Sequence, residues 1–121
     1  MMDIRIVTDT APLAATLNDS PAARGLAAML PLTLTLSDFH STEKIADLPA
    51  TLDTTGSPAG AAAEPGDIAY FAPWGNLAIF YRGFPRSAGL VILGRIAGPL
   101  DALTRGDGEQ TVTIAATDAR G

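Results

Sequence analysis

Between Pro31 and Ser37 the chain alternates without a break: Leu32, Leu34 and Leu36 against Thr33, Thr35 and Ser37. Side chains on an extended strand point to opposite faces in turn, so this run buries one face and wets the other. Threonine on the wet face suits a pleated backbone. Several other short runs share the pattern. Ile4 and Ile6 alternate with Arg5 and Val7 inside an extended stretch from Asp3 to Asp9. Asp9-Thr10-Ala11-Pro12 then supplies turn chemistry, and Leu13, Ala15 and Leu17 resume the alternation. These two runs predict an N-terminal hairpin. Asp67 to Phe71 and Leu77 to Tyr81 flank the tight turn Pro73-Trp74-Gly75 and predict a second hairpin. Leu90 to Ile96 is apolar nearly throughout, as a strand buried on both faces requires. Thr111 to Ala115 closes the series.

One segment has helical spacing instead. Asn18-Asp19-Ser20 offers caps, and Pro21 suits the first helical position. Ala22, Leu26, Met29 and Leu30 form one stripe, with Arg24 off it, and Pro31 ends the helix. The remaining stretches are less regular. Asp38 to Leu48 is mixed and polar, and Pro49 to Leu52 reads as a short extended piece. Thr54 to Gly66, with its glycines, prolines and three consecutive alanines, reads as a long loop. Gly83 to Gly89 reads as a loop, Pro99 to Leu103 as one helical turn and Arg105 to Gly108 as a turn. Seven or eight strands without intervening helices do not make parallel βαβ units. They predict a mainly β fold, an antiparallel barrel closed so that no edge stays exposed, with one main helix near residues 21–30 capping it.

Length and composition bound the rest. At 121 residues, the expectation is one domain spanning 1–121. There is no cysteine, so disulfides and thiolate metal sites are excluded. The apolar fraction is 47% and the charged fraction only 17%, which argues against disorder. A formal net charge of −5 and the lack of a basic run argue against nucleic acid and anionic membrane surfaces as partners. No uninterrupted apolar stretch is long enough for a membrane span, and the first residues begin a strand rather than a leader. The expected location is cytoplasmic.

In order along the chain stand Asn18-Asp19-Ser20-Pro21-Ala22-Ala23, Leu30 to Leu36, and Glu43-Lys44-Ile45. Pro73-Trp74-Gly75-Asn76-Leu77-Ala78-Ile79-Phe80-Tyr81 and Gly89 to Ile96 follow. This ordered set resembles the bacterial and archaeal cyclophilin-like domain family, proteins of largely uncharacterised function, over Asp3 to about Ala115. The resemblance implies an eight-stranded closed barrel similar to cyclophilin. It does not carry the prolyl isomerase over. The isomerases present a Phe-His-Arg stretch and then Gln-Gly-Gly-Asp; here Phe39-His40 is followed by Ser41, and no second stretch follows.

The candidate ligand-binding residues are Trp74, Asn76, Phe80, Tyr81, Glu43 and Arg95. Trp74 can wall a pocket and Asn76 can supply a donor and an acceptor; equally, they can cap a barrel end and relax a turn. Glu43 can accept a ligand hydrogen bond, or sit with Lys44 in a solvated loop. Arg95, inside an apolar strand, needs Glu43, Asp38 or Asp67 as partner, an anionic ligand, or water. Phe80 and Tyr81 point to opposite faces of one strand, so at least one lies outside the main core. His40, the sole histidine, has too few companions for a metal site, and neither a nucleophile elbow nor a phosphate loop is present. No metal and no cofactor is expected. Three functions follow in order: binding of a small molecule or short peptide in an aromatic-lined pocket, a degenerate isomerase-like enzyme, and a structural module that forms a homodimer.

Overall fold

The computed structural model describes residues 2–104 and 109–117. The N-terminal hairpin forms as β1 (Met2–Val7) and β2 (Pro12–Leu17). Their apolar positions, Ile4, Ile6, Leu13, Ala15 and Leu17, are all buried. Helix α1 (Pro21–Ala28) begins where Ser20 Oγ accepts the Ala23 N–H at 3.1 Å, with Pro21 in the first turn. It stops at Ala28 rather than Leu30, with Met29 as its C-cap. Ala22, Ala23 and Leu26 join the barrel core, while Met29 and Leu30 pack at its margin.

Strand β3 (Leu32–Phe39) carries the strict alternation, with Leu34 and Leu36 buried and Thr33 and Thr35 exposed. Strand β4 (Glu43–Asp47) follows, then β5 (Gly60–Ala63), β6 (Asp67–Phe71), β7 (Asn76–Phe80), β8 (Phe84–Ala88) and β9 (Leu90–Ile96). The short helix α2 (Asp101–Thr104) and β10 (Gln110–Ala116) complete the described chain. The turn predicted at 105–108 lies outside the described residues. Eight strands close into an antiparallel barrel in the order β1-β10-β3-β4-β7-β6-β9-β2. Among the described residues no helix is long and apolar enough to cross a membrane.

Three expectations need correction. The polar stretch after Asp38 is no loop: Glu43 to Asp47 is a barrel strand, paired with β3 on one side and β7 on the other. The stretches 54–66 and 83–89 are not simply loops either. They contain β5 and β8, which pair with each other and with no other strand. Their sequences hide this, because Gly60-Ala61-Ala62-Ala63 has no apolar–polar alternation and Pro85 and Arg86 read as loop residues.

This two-stranded ribbon lies over the outside of the barrel and explains why the middle strands are buried on both faces. On β6, Ile68 and Tyr70 enter the main core. Ala69 and Phe71 face a second apolar cluster. On β7, Leu77 and Ile79 point inward and Ala78 and Phe80 point outward into that cluster. Ala63 and Phe84 of the ribbon cover it. Gly89 joins ribbon to barrel with a φ of 83°, and a Cβ there would meet Pro73 Cδ at 2.7 Å. Only glycine accepts both the left-handed backbone and the contact.

Strand β9 carries a bulge. Ile68 pairs with Gly94 but Ala69 pairs with Ile92, so Leu93 is the extra residue. Val91 and the bulged Leu93 face the core, and Ile96 does so after the bulge. The shift turns Arg95 outward, where its side chain is 57% exposed.

Candidate functional site

Outside the barrel, where the outer faces of β4, β6, β7 and β9 meet the ribbon, an apolar cleft of about 130 Å³ remains open. Strand alternation builds its floor. Glu43 and Ile45 occupy the outer positions of β4, and Asn76 and Phe80 those of β7. Glu43 pairs with Phe80 across the two strands. Phe71 and Leu90 add the outer ends of β6 and β9, and Phe84 and Ser87 add the wall formed by β8. Phe39, at the end of β3, closes one side.

Trp74 forms the rim. Its turn is held by the Gly75 N–H on Phe71 O at 2.8 Å, with Gly75 at a φ of 68°. The indole is 59% exposed, which is unusual for the chain's only tryptophan. It stands at right angles to Phe39, centroids 5.5 Å apart, and nearly so to Phe71, at 5.4 Å and 84°. Phe80 and Phe84 pair at 5.7 Å. All four phenylalanines and the tryptophan of this sequence therefore line one cleft.

Two polar groups are sunk among these rings. Asn76 is 4% exposed, and its Oδ1 is buried with no hydrogen-bond partner. An orphaned acceptor of this kind costs about 1–3 kcal/mol. Glu43 is 9% exposed, and its carboxylate has no hydrogen bond or salt bridge among the described residues. Burial pushes its pKa up, and His40 opposes that only in part. The turn beside it is strained: His40 and Ser41, both non-glycine, take φ values of 55° and 53°. The His40 ring packs edge-on against Phe39 at 4.1 Å, and among the described residues no three metal-binding side chains gather.

The structure thus brings four of the six sequence candidates together: Trp74, Asn76, Phe80 and Glu43. It leaves Tyr81 and Arg95 outside. Tyr81 follows Phe80 on the opposite face, at the barrel mouth, where its hydroxyl donates to Asp38 Oδ1. The same carboxylate lies 3.7 Å from Lys44 Nζ and accepts the Ser41 N–H at 3.0 Å. Lys44 alternates with Glu43, so this polar knot and the cleft occupy opposite faces of β4. The Tyr81 hydrogen bond, then that from the Ser41 N–H and the Lys44 charge, hold the Asp38 carboxyl below its ordinary range. Burial first, and Asp38 second, push the Tyr81 phenol up to about 12.

Arg95 pairs with Asp67 at 2.9 Å across β9 and β6. It borders a broad open hollow of about 720 Å³ with Thr16, Gly66 and Pro99. That hollow is larger than the cleft, yet its one charged group is already paired. Where the isomerases carry their arginine after Phe-His, Ser41 stands in the strained turn, and among the described residues no arginine lines the cleft.

Sequence reasoning did not select Phe39, Ile45, Phe71, Phe84, Ser87 and Leu90 as site residues. The clustering of Phe71, Phe80 and Phe84 around the Trp74 hairpin was a usable signal. Ser87 and Leu90 had none, because a ribbon folded back over the barrel places them.

A closed antiparallel barrel with an apolar cleft on its outer face defines the structural class. A sequence profile of the Cyclophilin-like family matches residues 6–115, and the chain belongs to that family. Its fold is similar to the solution structure of a hypothetical protein from Archaeoglobus fulgidus. The TM-score is 0.74 at 19% identity, covering 96% of this chain and 95% of that one. No curated protein matches the chain significantly.

Proposed function

We propose that this chain is a binding protein whose cleft takes a small organic molecule or one side chain of a short peptide. The observation that carries this reading is the orphaned Asn76 Oδ1, buried among five aromatic rings. A buried acceptor without a partner lowers stability, and it is retained at a cost that a ligand donor would remove. Aromatic walls with a few fixed polar groups are the usual make-up of small-molecule pockets. The cleft volume, about 130 Å³, is below the range of about 300–1,000 Å³ for drug-sized ligands, so only one small group enters it.

The test is a thermal-shift panel of metabolites and short peptides. A ligand that prefers the folded state raises its melting temperature in proportion to the logarithm of its concentration. At least one compound is expected to do so, and Trp74→Ala is expected to weaken that shift. A panel without any shift removes the proposal. Catalytic isomerisation of Xaa-Pro peptides, lost in Phe80→Ala, would replace binding with turnover.

A further inference from the structure

Three polar side chains line the cleft among the described residues: Glu43, Asn76 and Ser87. Glu43 is the only charged one of these, and the buried orphan is the Asn76 oxygen. Among the described residues no lysine or arginine lines it. The sole lysine of the sequence, Lys44, points to the other face of β4 and is committed to Asp38. His40 is the remaining titratable group beside Glu43, and its ring is stacked edge-on against Phe39. The walls are aromatic, and an aromatic ring carries negative potential on its face. A carboxylate and an amide oxygen in this setting repel anions, and a neutral hydrocarbon leaves the carboxylate without a counter-ion. An ammonium group answers the carboxylate. It neutralises Glu43 and gains from each ring face it meets.

We propose that the cleft binds a protonated alkylamine, with Glu43 as counter-ion and Phe39, Trp74, Phe80 and Phe84 as walls. This rests on the binding role proposed above and names its ligand class. Size agrees. A cavity of about 150 Å³ holds benzene, so the cleft's volume of about 130 Å³ takes about five heavy atoms. That is the end of a lysine side chain or a small free amine; both present the same alkylammonium. The raised pKa of Glu43 is consistent, since a buried carboxylate without a cation is poorly solvated.

The experiment is an NMR titration of the full chain at pH 7.5, following the Trp74 indole N–H and the Asn76 side-chain amide. The probes are n-butylammonium chloride, n-butanol as its neutral match, a short acetylated peptide with one lysine, and sodium chloride as the ionic control. Butylammonium is expected to shift both resonances saturably and at least about tenfold more tightly than butanol. Glu43→Gln is expected to erase that preference while butanol still binds. Tighter binding of the peptide than of butylammonium assigns the ammonium to a lysine side chain, and equal or weaker binding assigns it to a free amine. Equal affinity for butanol and butylammonium on the unaltered chain overturns the cation proposal and leaves the binding role standing. If no probe moves either resonance, the cation proposal falls, whereas the binding role falls only if the thermal-shift panel is also blank. The two probes are compared on the unaltered chain, so the outcome does not depend on any variant folding.

Discussion

Glu43 shows how the burial of a single carboxyl can weaken a fold. Its carboxyl binds a proton more readily in the folded chain than in the unfolded one, because burial raises its pKa. Between its ordinary value and the raised one, the folded state holds more protons. Stability therefore falls as pH rises across that window, and the penalty persists above it. Glu43→Gln removes the charge, so it should stabilise the protein at pH 7 and give no such gain at pH 3.5. Urea denaturation of both forms at the two pH values checks this. Tyr81 titrates at the opposite end of the scale. With its phenol pushed up to about 12, this residue makes stability fall as pH rises from about 10 to 12. Asp38→Asn should lower the Tyr81 value toward 10, read from the ¹³C resonance of its ring in a pH titration. Burial, the larger cause, should keep it from returning fully.

Among the elements, α1 and β9 carry the clearest dependencies. Ser20 caps α1 through the Ala23 N–H, and Asn18 Oδ1 in turn accepts from the Ser20 N–H and hydroxyl. Ser20→Ala should cost about 1 kcal/mol, the usual value for a lost N-cap, in chemical denaturation. Gly94 matters more. A Cβ there would lie 2.1 Å from Thr16 O and 2.9 Å from Leu17 Cα, backbone atoms of the neighbouring strand. Gly94→Ala should therefore destabilise the barrel by about 1–3 kcal/mol or more, since β2 must move away from β9. The bulge next to it also re-aims Arg95, whose largely exposed pair with Asp67 adds little.

For the whole molecule, the contrast is between a closed barrel and an open ribbon. Every barrel strand has two neighbours, whereas β5 and β8 have only each other. An isolated two-stranded sheet is marginal in water, so the ribbon depends on its contacts with the second apolar cluster. Amides of Ala61 and Ser87 should exchange through an opening of lower free energy than those of Ile68 and Ile79. Native-state hydrogen exchange at rising denaturant resolves the two classes. A single shared free energy would show that ribbon and barrel open together. Phe84→Ala should lower the ribbon value selectively.

How much of this was legible in the chain depended on how local its cause was. Alternation at Leu32, Leu34 and Leu36, the cap and proline of α1, and the apolar run Leu90–Ile96 act within a few residues. They determined the barrel class by themselves. The sequence also marked Trp74, Asn76 and Phe80, since a tight turn and one face of a strand hold them together. It could not mark β5 and β8, because alanines and a proline leave no periodic trace and the ribbon exists only where the two segments meet. It named Glu43 as a candidate but could not tell which of Glu43 and Lys44 faces the barrel interior. One residue along a strand reverses the face, and only closure of the barrel decides which face is the interior. The tertiary structure therefore decided that Lys44 joins the knot at the barrel mouth, that Glu43 sinks among the aromatic rings, and that Arg95 turns outward. In each case the deciding term is burial against residues far away in sequence, and the sequence nearby carries no record of it.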